Sequence, residues 1–242
     1  MKDTIKIPNH GNTKMVAHRG LSGIERENTC SAFVAAANRS YFGIETDVRI
    51  TADGHYVLLH DNDTARNCID RLEPEKSTFQ SLRRLQYKDA DETFDRADLM
   101  MPTLQEYVKI CRTYGKVCVL EFKGAFSEEM CAEVVDIISG MDYLDQIIFI
   151  SFSWDNLLHL KKVCPQAKAQ WLTWDQKPED IVDQLAENDI GLDAYFKTLT
   201  KENVKLLHDR GIVVNCWTVD RLEDAELLID MGVDQITSNI LE

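Results

Sequence analysis

The chain is expected to fold as an α/β protein built of parallel βαβ units. Three observations carry that expectation: eight short β-branched runs, seven amphipathic helix candidates lying between most of them, and a length of 242 residues. Regular alternation of strand and helix is the signature of parallel connections. The length is close to that of one (β/α)8 barrel.

Taken in order, the strand candidates are residues 14–17, 43–50, 116–122, 146–152, 167–172, 192–196, 212–219 and 235–237. The helix candidates are 29–38, 103–114, 127–139, 154–163, 178–187, 200–209 and 221–231. Several helices open on a residue whose side chain can accept from the first free N–H groups. These are Ser127, followed by Glu128 and Glu129, Ser153 ahead of Trp154, and Asp220 before the last helix. Gly115, Gly211 and Gly232 follow helix ends, where left-handed backbone closes the last turn. The strands are nearly continuous in apolar residues, as in a sheet covered on both faces. A closed barrel and a doubly wound open sheet both suit that pattern. No G-x-G-x-x-G turn follows the first strand, which weakens the dinucleotide-binding form of the open sheet.

The rhythm breaks once. Residues 62–102 are long, highly charged and end at Pro102, with one short helix candidate near 77–85 opened by Ser77 or Thr78. A connection of ~40 residues without a regular strand reads as a functional insertion or lid. No linker or low-complexity tract marks a boundary, so residues 1–242 are expected to form a single domain carrying that insertion. The last strand closes next to Glu242, which leaves no room for an eighth outer helix. The N-terminal segment, or a neighbouring subunit of a homo-oligomer, would cover that part of the wall.

Composition narrows the function. With 44% hydrophobic and 28% charged residues the chain reads as soluble and globular. No apolar run of ~18 residues is present, so no membrane insertion is expected. The opening MKDTIKIPNHGNTK has no apolar core of a secretory signal, and a cytoplasmic location is expected. The seven cysteines are odd in number, scattered, and never in a C-x-x-C pair, so they read as buried reduced thiols rather than a disulfide framework or zinc site. A formal net charge of −14 argues against nucleic acid and anionic membrane surfaces. An anionic substrate would have to be drawn in by a local metal or arginine.

The densest polar cluster at strand ends lies in the first 61 residues. His18-Arg19-Gly20 follows the apolar MVA; Glu45 and Asp47 lie two apart in one strand, on one face; His60-Asp61 ends the run YVLLH. Glu121 and Lys123, again two apart, end VCVLEFK. Glu45, Asp47 and Glu121 make a hard oxygen set suited to Mg²⁺ or Ca²⁺. Without a cation, three crowded carboxylates raise each other's pKa. Arg19 offers a planar fork for phosphate and Lys123 a point charge. His18 and His60 are a natural acid–base pair, because imidazole titrates near neutrality.

The segments AHRG-x4-ERENTCSAF, GIETDV-x2-TADG-x2-VLLHD and LEFK, with PTLQEYV, WTVD and the closing GVDQITSN, resemble the glycerophosphodiester phosphodiesterase family over essentially the whole chain. The resemblance implies a TIM barrel with a small insertion after the second strand region. It implies that Glu45, Asp47 and Glu121 bind a divalent metal, that His18 and His60 act as acid and base, and that Arg19 and Lys123 hold the phosphate. One histidine would protonate the departing alcohol while the other activates water or the substrate's own glycerol hydroxyl. The products would be glycerol 3-phosphate and an alcohol such as choline or ethanolamine. The chain departs from the family in having Arg26 where proline commonly precedes Glu27-Asn28-Thr29, and in TSN where T-D is commoner. Glu27 would either hydrogen-bond at the mouth or help coordinate the metal.

A lone histidine is more often structural, which keeps His10, His55, His159 and His208 out of the site. Trp217 is core or a wall for the glycerol or headgroup; Phe152 and Trp154 follow a strand and can shape the same pocket. The charged run 88–98 reads as a solvated surface. Two other functions fit the residues: a lysophospholipase D or phosphoinositide-type enzyme, which would need an apolar groove or membrane-docking patch, and an inactive barrel that binds a phosphorylated ligand. The complete set of histidines and carboxylates speaks against the last.

Overall fold

A computed structural model describes residues 3–242. In chain order it contains β1 (Lys14–Ala17), α1 (Cys30–Ala37), β2 (Gly43–Ile50), β3 (Tyr56–Leu58), α2 (Phe79–Arg83), α3 (Leu104–Tyr114), β4 (Val117–Phe122) and α4 (Glu128–Ser139). There follow β5 (Ile147–Ser151), α5 (Trp154–Val163), β6 (Lys168–Thr173), α6 (Pro178–Glu187), β7 (Gly191–Tyr195), α7 (Lys201–Asp209), β8 (Val214–Trp217), α8 (Leu222–Met231) and β9 (Gln235–Ser238). Eight strands pair in parallel in the order β1-β9-β8-β7-β6-β5-β4-β2, and β1 pairs with β2 to close the ring. The sheet is therefore a (β/α)8-type barrel rather than the open alternative. Seven helices from α1 to α8, α2 excepted, connect successive barrel strands on the outside.

Local chemistry explains the ends of the elements. Thr29, Thr103, Ser127, Ser153 and Thr200 cap their helices through the side-chain oxygen, and Thr103 with Glu106 forms a reciprocal capping box. α3 buries Leu104, Tyr107, Val108 and Cys111, the i, i+3, i+4, i+7 stripe of a helix lying on a sheet. Gly115 and Gly232 end α3 and α8 at φ 65° and 88°. Asp220 does not cap α8. Arg221 holds the cap position without a side-chain bond, and the Asp220 carboxylate accepts instead from the backbone N–H and Nδ2 of Asn239 and from Ser238 Oγ. The loop after β9 competes for that carboxylate and wins it.

One strand was not foreseen. β3 pairs antiparallel with Val48–Ile50 at the end of β2, along the edge that the four-residue β1 leaves free. Its three residues are too short and too uniformly apolar to show a period. The stretch 62–102 then packs on it. Leu82, Leu85, Tyr87, Leu99 and Met101 join Val57 and Leu59 in a small core of their own, with Leu72 and Phe79 against it. Thr78, one of the two expected caps, opens α2.

Among the described residues no helix follows β9. Residues 239–242 instead run beside the N-terminal stretch: Ile5 bridges Leu241 in parallel, Ile7 N–H donates to the Glu242 carbonyl, and the Glu242 carboxylate accepts from Ser40. Ile7 and Leu241 are both buried in the main core. The N-terminal segment, one of the two covers the sequence allows, lies along this wall.

Candidate active site

The barrel interior is layered. Val16, Val119, Ile148, Ile150 and Leu172 form an apolar plug. Beside it Gln170, Asn215, Gln235 and Thr237 are linked by hydrogen bonds of 3.3–3.4 Å. At the C-terminal mouth, the register that pairs Glu45 with Val119 and Asp47 with Glu121 brings three carboxylates together. Ligand atoms of Glu45, Asp47 and Glu121 lie within 4.8 Å of one another, and all three residues are buried.

The charges in this cluster cannot all be kept as they stand. Burial and the neighbouring Asp47 carboxylate push Glu121 up to about 8 and Glu45 well above the usual range. Burial would raise Asp47 too, but Arg19, His60 and Lys123 outweigh it and hold that carboxyl low. Asp47 Oδ1 is buried without a hydrogen-bond partner, with Lys123 Nζ 3.7 Å away. Three oxygen ligands, one of them orphaned and two forced toward protonation, fit a divalent oxygen-loving cation.

Each site residue has a defined support. Arg19 sits at φ 53°, which turns its backbone N–H onto Glu45 Oε2 at 2.7 Å. Its guanidinium meets Glu27 at 3.1 and 3.2 Å, with Nε 3.5 Å from Asp47 Oδ2. Lys123 Nζ donates to Glu121 Oε1 at 2.9 Å. His18 Nδ1 meets Asn239 Oδ1 at 2.7 Å, and Asn239 Nδ2 donates to Asp220 Oδ2 at 2.6 Å. The amide orientation set by Asp220 makes Oδ1 an acceptor, so His18 carries its proton on Nδ1 and leaves the Nε2 lone pair free, 3.9 Å from Glu45. Burial and the Arg19 charge lower His18 to about 4, so it is neutral at physiological pH. His60 Nδ1 lies 2.8 Å from Asp61 Oδ1, and Asp61 Oδ2 accepts from Arg66 Nε at 2.6 Å. Burial lowers His60 too, with the Asp47 charge working against that shift.

The structure thus brings His18, Arg19, Glu45, His60, Glu121, Phe152 and Trp217 to one pocket, together with Asp193 and Thr237. Asp47 and Lys123 adjoin them through the contacts above. Glu27 has its carboxylate hydrogen-bonded by both Arg19 and Arg66, the latter at 2.7 and 2.8 Å.

Five further polar residues carry no role in the sequence reading. Asn28 Nδ2 donates to Asp47 Oδ2 at 2.8 Å while its Oδ1 accepts from Thr46; its signal was the E-N-T triplet. Asp61 and Arg66 brace His60, and Asn239 braces His18 from within the unusual TSN loop. Asp193 faces the pocket with a buried Oδ1 lacking a partner, and burial plus the Glu121 charge push its carboxyl well above the usual range. An acidic residue in the apolar run GLDAY was the available signal.

Comparison with known proteins shows the family. The model of the glycerophosphoryl diester phosphodiesterase family matches residues 18–241. A curated glycerophosphodiester phosphodiesterase from Caldanaerobacter subterraneus subspecies tengcongensis is 29% identical over 231 residues, covering 94% of each chain. A crystal structure of a glycerophosphodiester phosphodiesterase from Parabacteroides distasonis is 29% identical with a TM-score of 0.78, covering 94% of this chain and 93% of that one. A phosphodiesterase from Oleispira antarctica, solved with its product sn-glycerol-3-phosphate, shares the fold at 23% identity and a TM-score of 0.82, with 94% and 93% covered.

Proposed function

Because the chain belongs to the glycerophosphoryl diester phosphodiesterase family and is by that membership a glycerophosphodiester phosphodiesterase, we propose that it cuts small glycerophosphodiesters by metal-assisted acid–base catalysis, with His18 as base and His60 as acid. The observation that carries this reading is the convergence of three buried carboxylates, two imidazoles and two cations at one barrel mouth.

Glu45, Asp47 and Glu121 would hold Mg²⁺ or Ca²⁺, which supplies Lewis-acid stabilisation of charge on the phosphoryl oxygens. Arg19 and Lys123 add fixed positive charge beside the same oxygens. Glu27, clamped between Arg19 and Arg66, orders the Arg19 fork rather than the metal. The neutral His18, proton on Nδ1, takes the proton of the attacking hydroxyl at Nε2. That hydroxyl belongs to water or to the substrate's own glycerol arm. As the bond from phosphorus to the alcohol oxygen breaks, His60 in its protonated form, which Asp47 and Asp61 favour against the burial that lowers it, passes its Nε2 proton to the departing oxygen. Attack by the glycerol arm gives a cyclic phosphate that water opens by the same pair of groups. Both routes end in glycerol 3-phosphate and a free alcohol.

The division of labour predicts a split between leaving groups. A p-nitrophenyl diester of glycerol needs no acid, because nitrophenolate leaves unprotonated. His60→Ala should lose about 10²–10⁴-fold on glycerophosphoethanolamine but retain most turnover of the nitrophenyl ester, whereas His18→Ala should lose comparable amounts on both. Equal losses on both esters for His60→Ala would contradict the assignment. No helix among the described residues is long and apolar enough to cross a membrane. A water-borne substrate and a cytoplasmic site of action are part of the same proposal, supported by the net charge of −14 and seven unpaired cysteines.

A further inference from the structure

The pocket's aromatic wall does not stop at Trp217. Its ring centroid lies 5.5 Å from Phe152 at 85°, 5.2 Å from Trp174 at 48° and 5.9 Å from Tyr195 at 50°. Trp174 and Tyr195 stack on each other at 4.7 Å and 4°. Four rings from the ends of β5, β6, β7 and β8 therefore form one continuous surface leading outward from the pocket. Phe152 is 46% exposed and Trp174 58%. Single exposed apolar residues need no explanation, but a contiguous array of rings at the mouth of a catalytic pocket marks a binding surface.

A glycerophosphodiester has two arms, and the pocket offers two different environments. Asp193, with its orphaned buried oxygen, and Thr237 present polar atoms to the hydroxyl-bearing arm. The rings present mostly apolar surface, and the Trp217 N–H is already donated to the Asp193 carbonyl. They do offer π faces, which attract a cation. Next to Trp174 lies a hollow whose charged lining residues are Asp175, Glu179 and Glu202 against Lys177, and the whole chain is at −14. An acyl chain would gain most from aliphatic side chains on a neutral surface; this rim is aromatic and its flank acidic. Lys123 Nζ already sits 5.9 Å from the Phe152 centroid, so Trp217, Trp174 and Tyr195 are the rings left for a second cation.

We propose that Trp217, Trp174 and Tyr195 form a headgroup subsite that selects a quaternary-ammonium alcohol of the choline type over uncharged alcohols of the same shape. This rests on the phosphodiesterase reading above, and the test separates the two. Glycerophosphocholine is compared with the 3,3-dimethylbutyl ester of glycerol 3-phosphate, in which a tert-butyl group replaces trimethylammonium. The wild-type kcat/KM should favour the charged ester by between about 2-fold and about 30-fold, the span of one cation–π contact. Trp174→Leu should bring that ratio toward one. Tryptophan fluorescence of the metal-free protein, titrated with the same two esters, should show tighter binding of the charged one and loss of that difference in Trp174→Leu. A wild-type ratio of one, a ratio unchanged in Trp174→Leu, or preference for the tert-butyl ester would overturn the subsite while leaving the phosphodiesterase intact, provided glycerophosphoethanolamine is cleaved. If no diester is cleaved, both readings fall.

Discussion

His18 and Glu121 titrate in opposite senses on folding, and that difference can be measured. His18 falls to about 4, so its penalty in the fold is present at low pH and relieved by about 6.5, its unfolded value. Glu121 rises to about 8, so its penalty appears as pH climbs from about 4.5, its unfolded value, to about 8, and Glu45 moves the same way. The two contributions oppose one another below about 6.5; above it only the carboxyls still change. The chelated protein should therefore lose Tm between about pH 6.5 and 8.5, and saturating Mg²⁺ or Ca²⁺ should offset the loss. A decline that metal leaves untouched, or none in the wild type, would contradict the electrostatic description. Glu121→Gln should flatten it. These residues were legible in the sequence because a two-residue strand period puts Glu45 with Asp47 and Glu121 with Lys123 on one face. Their partners were not. Asn28, Asp61 and Asn239 act through side-chain orientation, and 221 positions separate His18 from Asn239 along the chain.

The strand–helix alternation was readable because each outer helix carries its own period and each barrel strand is a short β-branched run. The insertion lacks one. Its apolar residues look scattered because their partners lie on β3 and on distant parts of the insertion itself. Arg26, the residue standing where the family commonly has proline, explains part of the arrangement. It is buried and donates to the carbonyls of Lys88 and Asp89 and to Glu92 Oε1. Arg96 pairs with Glu25 at 2.8 Å from the other side. The charged run 88–98, read from sequence as a solvated surface, is therefore in part an ion-paired clasp on the loop that carries Glu27. Arg26→Ala should cost about 1–3 kcal/mol by stranding two carbonyls. Amide hydrogen exchange should rise across 86–96 while the barrel strands stay protected. Unchanged protection in that segment would show that the clasp does not hold it.

The molecule as a whole is acidic, yet its pocket must accept a phosphodiester. Among the described residues, only Arg19 and Lys123 adjoin the three carboxylates as fixed cations, with Arg66 at one remove. Long-range attraction cannot deliver an anionic substrate to such a surface, and screening should relieve repulsion rather than weaken capture. The kcat/KM for an anionic diester such as glycerophosphoglycerol should accordingly rise from low to moderate ionic strength at fixed metal; a steep fall would point to steering by charges not identified at this mouth. The proposed mechanism requires above all a cation held by Glu45, Asp47 and Glu121. The most direct test is release of glycerol 3-phosphate from glycerophosphocholine and glycerophosphoethanolamine with Mg²⁺, Ca²⁺ or EDTA. Release that requires a divalent metal, stops with chelator and returns when metal is restored is the predicted result. Release that persists in EDTA, or no release from either diester with any metal, would contradict it.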